Sequence, residues 1–372
     1  MTNGTKKTRS VLANLSMEKK CKQQNHNEEK YCNQNNKFIQ FVQSDHFIQF
    51  IEYLARCRYR HADFPPVKRH NYKNILVLLE CCKLIKVKCA SKIMCTLEVP
   101  ISTIIKSTCK ANNVRRIFIG KDYDVVVLKK ILSMNSNLTH ISFNEHFSKR
   151  LDVGIFPDNV VYLKLPYMFN QQSLLTREFF PKKITHLAFG SSCTYRDSNY
   201  YNWFWFTYLV DQDIYPESLT RLHFHSAFNE VLDKHPLPKN LKYLKFGRQY
   251  NKPLKINVLP ITLTTLIFKG MFNQILNVGE LPENLTKLVF GYYDKPISKN
   301  VLPNSLTFLD LGFIFNQPVN GDTFPKNLTY LDFGNSFNQS VNKDIFPEKL
   351  TYLDFGYSFN QSVNKDIFPK KL

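Results

Sequence analysis

Three aspartates, Asp310, Asp332 and Asp354, recur at intervals of 22 residues. A row of carboxylates of this kind can hold a cation or face a basic partner. A hard cation needs about six or more oxygens, and nothing around these aspartates supplies the remainder, so the row is not read as a metal site. His223 and His225 fall on one face of an extended segment, but no carboxylate or nucleophile is spaced to work with them. Eight of the nine cysteines lie in the first 110 residues, at 21, 32, 57, 81, 82, 89, 95 and 109. Their odd number and the lack of an apolar leader fit reduced thiols in an intracellular protein. Cys81, Cys82, Cys89 and Cys95 also lack the close pairs that zinc prefers. The sequence has no phosphate-cradling glycine loop, no His-Glu-x-x-His and no serine flanked as in a nucleophile elbow. The expectation is a binding protein without catalytic residues, cofactor or metal.

The 22-residue interval extends well beyond the aspartates. Residues 324–345 and 346–367 differ only at 326/348, 327/349 and 335/357, so 19 of 22 residues are identical. The first leucine of each unit aligns back through Leu306, Leu285, Leu263, Leu241 and Leu219, then through Ile184, Val160, Leu138 and Val114. From Val114 to Leu372 the intervals are 24, 22, 24, 35, 22, 22, 22, 21, 22, 22 and 22. A fixed short period is the signature of a solenoid, in which one unit cannot bury its own apolar face but stacked units can. With that leucine as position 1, the unit reads Leu-Thr-x-Leu-x-Phe-Gly-x-x-Phe-Asn. Leu331 and Phe333 sit two apart and point to one face of a short strand, with Tyr330 and Asp332 on the other. Gly334 suits a tight exit turn, and Phe337 folds back into the core. Asn338 can satisfy backbone groups that a bend leaves unpaired. Pro325 and Pro347 oppose a helix in the return segment.

These units resemble the FNIP repeat, a 22-residue relative of the leucine-rich repeat. Phe-Asn stands at 169–170, 228–229, 272–273, 315–316, 337–338 and 359–360, with Tyr250-Asn251 and Tyr293-Asp294 as weaker versions. The resemblance implies a leucine-rich-repeat-like solenoid used for binding, with no catalytic residues. The expected fold is therefore a mainly β repeat solenoid over 111–372, with a parallel sheet of about ten to twelve short strands. The family also implies a host or viral cytosol, where amoebae and their large DNA viruses use such repeats.

In such a sheet, positions 3 and 5 form two ladders on the exposed, concave face. Position 3 runs Arg116, His140, Tyr162, His186, Arg221, Tyr243, Thr265, Lys287, Phe308, Tyr330, Tyr352. Position 5 runs Phe118, Ser142, Lys164, Ala188, His223, Lys245, Ile267, Val289, Asp310, Asp332, Asp354. The face is basic and histidine-bearing first, apolar in the middle, aromatic and acidic last. Neighbouring aspartates about 4.8 Å apart repel by about 1 kcal/mol in water. A basic protein partner would relieve this, and a solvated face made by copying one unit would also account for it. Phe308, Tyr330, Tyr352 and the three aspartates are candidate partner-binding residues.

Trp203 and Trp205 join them. They lie in an insertion at 191–212, and insertions in solenoids map to one face and often serve function. The C-terminal strand, Leu350–Gly356, has one neighbouring unit before the chain stops, and an open edge there can pair with a second copy.

The formal charge of +20 is uneven: residues 1–110 carry 20 Lys/Arg against 8 Asp/Glu, and 302–372 carry 6 against 7. This asymmetry makes a nucleic-acid-binding role through the basic N-terminal region the alternative function. Residues 1–37 are polar and Lys/Asn-rich, a composition that favours disorder. No apolar run is long enough to span a membrane. Residues 38–110 show helical periodicity, at Phe38, Phe41, Val42, Ile48, Ile51, Leu54 and again at Ile75, Leu78, Leu79, Cys82, Ile85. Phe47, Phe50, Ile51, Tyr53 and Leu54, followed by Asn74, Ile75, Leu78, Leu79, Leu84, Ile85 and Val87, resemble the C-terminal half of a BTB/POZ domain. That resemblance implies recruitment of a partner to a cullin-type ubiquitin ligase. The half of the domain that would precede it has no counterpart in residues 1–37.

Overall fold

The structure, a computed structural model, describes residues 98–100, 114–166, 175–190, 214–234 and 236–372. All belong to one compact unit, Met94–Leu372. The tail at 1–37, expected from composition to be disordered, the BTB/POZ-like stretch and the insertion with Trp203 and Trp205 lie outside the described residues. So does all of segment 38–110 except residues 98–100.

Among the described residues twelve short strands form one parallel sheet whose spatial order is the chain order. They are β1 (Glu98–Pro100), β2 (Arg116–Ile119), β3 (His140–Phe143), β4 (Tyr162–Lys164), β5 (His186–Ala188) and β6 (Arg221–His223). The rest are β7 (Tyr243–Phe246), β8 (Thr265–Phe268), β9 (Lys287–Val289), β10 (Phe308–Asp310), β11 (Tyr330–Asp332) and β12 (Tyr352–Asp354). The array is therefore a right-through stack of coils, each adding one strand. β1 precedes residue 111, so the sheet begins earlier than the leucine register indicates. Among the described residues no helix is long and apolar enough to cross a membrane.

The register follows the repeat. Tyr330 pairs with Tyr352, Leu331 with Leu353 and Asp332 with Asp354, and the same alignment holds from Arg116↔His140 onward. Position 1 is buried in every coil from Val114 to Leu350, as are the position 4 leucines and isoleucines from Ile117 to Leu331. Position 6 stacks along the array as Phe224, Phe246, Phe268 and Phe290, with centroids 5.4, 5.2 and 5.6 Å apart. Position 10 makes a parallel column of Phe228, Tyr250, Phe272, Tyr293, Phe315, Phe337 and Phe359 at 5.8–6.3 Å. Within a coil the two rings meet more closely, 3.9 Å for Phe246–Tyr250 and for Phe333–Phe337. Repeated offset stacking adds to the area term that drives the core together. Where tyrosine replaces phenylalanine, the Tyr250 and Tyr293 hydroxyls are buried without a hydrogen-bond partner.

Polar ladders close the ends of the strands. The position 2 threonines donate to the preceding coil's carbonyl, as Thr286 does to Thr264, Thr307 to Thr286, Thr329 to Thr307 and Thr351 to Thr329, at 2.9–3.1 Å. After the second ring, each Asn accepts the backbone N–H of its counterpart one coil on: Asn229 from Asn251, Asn251 from Asn273, Asn316 from Asn338 and Asn338 from Asn360, at 2.8–2.9 Å. The amide thus satisfies the bend of the next coil rather than its own. Gln274, Gln339 and Gln361 donate to the same asparagine oxygens.

The return segments are irregular, turning at Pro-x-x-Leu, where Leu328 N–H donates to the Pro325 carbonyl and Leu350 to Pro347. One coil departs from this: α1, Val125–Ser133, occupies the return of the 24-residue coil that starts at Val114. Its first turn is a run of three valines, which loses side-chain freedom in a helix. The Asp124 carboxylate caps it by accepting from the Val126 and Val127 N–H groups, and Leu128 and Leu132 bury one face. Capping and burial outweigh the local preference here.

Candidate functional site

The coil's buried positions are occupied by packing and its bends by ladders, so chemistry is left to positions 3 and 5 on the other face of the sheet. These residues are half-buried in most coils, screened by neighbours on either side. Phe308, Tyr330 and Tyr352 stack as one column, 4.0 Å apart at 6° and 4.2 Å apart at 1°. Lys287 caps the column, its Nζ 3.6 Å from the centre of the Phe308 ring, a cation–π contact. Tyr352, at the other end, is 42% exposed. Burial raises the Tyr330 phenol above its ordinary pKa, helped by its Tyr352 neighbour and by Asp332 and Asp310.

Asp310, Asp332 and Asp354 form the adjoining column, one residue pair per strand. Each has a structural duty that spacing alone did not reveal. One carboxylate oxygen accepts from the N–H two residues on, at Gly312 (2.9 Å), Gly334 (2.8 Å) and Gly356 (2.8 Å). Those are the exit turns in which glycine has φ of 80°, 77° and 77°. In the coils where position 5 is Lys245, Ile267 or Val289, the following glycine has no positive φ. The aspartate therefore goes with the left-handed turn, which its short side chain holds. Close approach reinforces the glycine requirement: a Cβ on Gly334 would lie 1.4 Å from the Gly312 carbonyl oxygen. The signal was readable as Asp-x-Gly in the repeat.

The stacked carboxylates do perturb one another. Asp310 is raised above the ordinary carboxylate range by burial first, then by Asp332, against the Gly312 N–H bond and Lys287. Asp332 is raised by burial and by Asp354, against the Gly334 bond. Among the described residues no group of His, Cys, Asp or Glu has the arrangement to hold a metal ion. Position 5 brings Ile267 and Val289 beside the aspartates, so the columns adjoin an apolar stretch. Met271, Phe313 and Ile314 are exposed at the strand exits next to it, and Tyr292 packs 5.5 Å from Phe313.

The other half of the face, β2 to β7, is of different chemistry. His140 stacks on Tyr162 at 5.4 Å, and Tyr162 meets His186 at 6.2 Å. His223 lies 5.1 Å from Tyr243, over which Arg221 is placed at 5.3 Å. Burial lowers His140 and His223 to about 4, and Arg116 with His186 adds to the first effect. His223 is lowered further by Lys245, Arg221, His186 and Lys164. His186 is lowered by burial and by Arg221. His225, expected beside His223 on one face, is instead buried, its Nδ1 accepting from the Ala227 N–H. The strand ends at His223, and the chain turns inward there.

The family match follows the same repeat. The FNIP repeat model matches residues 228–270, 272–313, 315–358 and 337–372. Among solved structures, CroV588, described as a novel circular leucine-rich-repeat protein, is 28% identical with a TM-score of 0.47, covering 70% of this chain and 46% of its own. TLR13 in complex with ssRNA13 is 14% identical with a TM-score of 0.41, covering 72% and 45%. The internalin inlF of Listeria monocytogenes is 15% identical with a TM-score of 0.32, covering 65% and 61%. The chain thus spans about half the length of the first two and under two thirds of the third. No curated protein sequence matches significantly.

Proposed function

We propose that this chain, a leucine-rich-repeat-like solenoid whose residues 228–372 are FNIP repeats, is a non-enzymatic protein-interaction scaffold. Its C-terminal exposed face takes a protein segment bearing Arg or Lys. The observation that carries this reading is the unbroken column Lys287–Phe308–Tyr330–Tyr352 beside the column Asp310–Asp332–Asp354. Rings and carboxylates side by side give a cationic side chain both an apolar stem contact and a charge partner. Aromatic residues on the outer face of a sheet are frequent anchors in interfaces, where a single truncation commonly costs about 2 kcal/mol or more.

The cysteine-rich N-terminal region sets the partner inside a cell under this reading. Delivery of that partner to a cullin-type ubiquitin ligase would fall to residues before 98, outside the described part of the chain, and Trp203 and Trp205 would add a second contact from the insertion. The test is site-specific photo-crosslinking in extract. A photoreactive residue replacing Tyr330 or Tyr352 should give one discrete protein adduct, and the same group at exposed Lys326, in the Pro325–Leu328 turn and not on position 3 or 5, should not. Equal adducts from both positions would overturn the reading, as would an adduct that persists undiminished when Asp332→Lys is added to the folded protein.

A further inference from the structure

We propose that the β2–β7 part of the sheet face is a second, oppositely charged site that binds an acidic polypeptide segment and takes up protons at His140 and His186 as it does so. This stands independently of the C-terminal site. The cations are placed at alternate strands: Arg116 on β2, Lys164 on β4 and Arg221 on β6, with Lys245 on β7. At about 4.8 Å per strand, Arg116 and Arg221 are about 19 Å apart. A segment of seven or eight extended residues, at about 3.3 Å each, covers the distance from β2 to β7. No aspartate or glutamate occupies position 3 or 5 anywhere from Arg116 to Val289. The nearby carboxylates are turned elsewhere: Asp158 pairs with Lys182, Glu217 with Arg177 and Asp233 with Lys255. None of the ion pairs among the described residues involves Arg116, Lys164 or Arg221.

The histidines are set to accept protons. The Thr139 hydroxyl donates to the Arg115 carbonyl at 3.1 Å, so its oxygen can only accept from His140 Nδ1, 2.9 Å away. Thr185 does the same, donating to the Val161 carbonyl at 3.1 Å and accepting from His186 Nδ1 at 2.7 Å. A hydroxyl has one proton to give, so Nδ1 carries the ring proton and Nε2 is the basic nitrogen in both rings. The charges that act on these rings, and on His223, are Arg116, Lys164, Arg221 and Lys245, together with His186 acting on His140 and His223. Burial is the larger cause that keeps the rings uncharged in the free protein, and these neighbours, all cationic or neutral, add to it. A carboxylate brought to the face reverses that balance and favours protonation at Nε2.

The ring geometry favours a polypeptide over a nucleic acid. His140 stacks on Tyr162, His186 leans against Tyr162 at 41°, and Tyr243 has Arg221 over its ring and His223 tilted at 36° beside it, so these ring faces are already partly occupied. What they present is ring edges, which carry partial positive charge and suit carboxylates, whereas unpaired bases need open ring faces to stack on.

The experiment uses the full chain and a fluorescein-labelled deca-aspartate peptide, followed by anisotropy. Its carboxylates stay ionised down to about pH 5. Binding should tighten about tenfold or more from pH 7.5 to pH 5.5 as the histidines become coupled. Arg116→Gln with Lys164→Gln and Arg221→Gln should weaken it at least tenfold, while Lys326→Gln with Lys343→Gln and Lys370→Gln, equal in charge but off this face, should change it less than twofold. His140→Gln with His186→Gln should keep binding at pH 7.5 and remove most of the pH response. Melting curves confirm that each variant is folded. Equal losses from the two charge sets would mean attraction by net charge, chiefly that of residues 1–110, and would overturn the proposal. So would a pH response that survives the histidine double variant, or tighter binding of a ten-nucleotide single strand than of the peptide.

Discussion

Replacing Asn316 separates the hydrogen-bond ladder from the packing of the coil. Its side-chain oxygen accepts from the Asn338 N–H at 2.9 Å and from the Gln339 amide at 3.0 Å, both part-buried. Asn316→Ala leaves the Asn338 N–H without a partner, while the Gln339 amide keeps only its 3.0 Å bond to the Asn316 backbone carbonyl. A stranded buried donor costs about 1–3 kcal/mol, and the weakened Gln339 contact adds a smaller part. A total of about 2 kcal/mol is expected, or about 3–4 °C in the melting midpoint of a unit as large as Met94–Leu372. The chain contains its own control. At the equivalent position one coil earlier stands Asp294, and it accepts from Asn316 N–H at 2.9 Å and from the Gln317 amide at 2.8 Å. Asn316→Asp keeps that acceptor, so it should stay within about 0.5 kcal/mol of the parent. Because stacked repeats need not unfold all at once, hydrogen exchange at the Asn338 amide is the decisive assay. Protection there should fall in Asn316→Ala and hold in Asn316→Asp. Equal loss in both variants would refute the account of the ladder, and so would no loss in either.

Leu331 is 0% exposed, and Leu331→Ala should cost about 2–5 kcal/mol in denaturant unfolding. Gly334→Ala should be worse than a cavity of its size, since a Cβ would lie 1.4 Å from the Gly312 carbonyl at a φ of 77°; loss of the folded fraction on a gel-filtration column reads it. Tyr250→Phe removes a hydroxyl that is buried without a partner, so it should be neutral or stabilising by about 1 kcal/mol, scored by the shift in denaturation midpoint. His140 and His223 are held to about 4, below the ordinary 6.5. The unfolded chain then binds protons that the folded chain refuses, so stability is full above pH 6.5 and falls as the pH drops toward 4. Asp310 and Asp332, raised instead, act the opposite way, destabilising the fold once the pH rises through their own range. Urea midpoints across this pH range should decline below pH 6.5, and less so in His140→Gln with His223→Gln.

Much of the fold was legible because a repeat states its register many times over. The leucine column, the strand phase and the glycine exit turn all follow from residues spaced two apart and recurring every 22, and the pairing Leu331↔Leu353 is what that phase requires. Tyr250-Asn251 and Tyr293-Asp294 read as weak copies of Phe-Asn, yet they keep their places in the ring column and the ladder. Stacking needs a flat ring and the ladder needs one acceptor oxygen, so Tyr and Asp suffice. What stayed hidden depends on residues in different coils or on a local exception. α1 was masked by its three valines, and β1 has no leucine register to announce it. The inward turn of His225 follows from where the strand stops.

The candidate site was legible as a pair of columns but not in its division of labour. Asp310, Asp332 and Asp354 looked like surplus charge facing outward, and their first duty is to the glycine turn beneath them. That duty occupies one oxygen of each carboxylate and fixes where the other can point, so the column is held rigid before any partner arrives. Rigidity is what a binding surface gains from serving the fold: side chains already locked lose little further freedom on contact. The same holds for Phe308, Tyr330 and Tyr352, whose stacking at 4.0 and 4.2 Å fixes their rings. Near-identical coils make that surface a ruler with one mark per strand. A partner with cationic side chains at a matching spacing can engage several marks at once, whereas a single cation meets only one. If the face binds as proposed, selectivity would come from spacing along the partner more than from any one residue, and shifting a partner by one coil should be tolerated between Tyr330 and Tyr352 but not past Lys287, where the charge reverses.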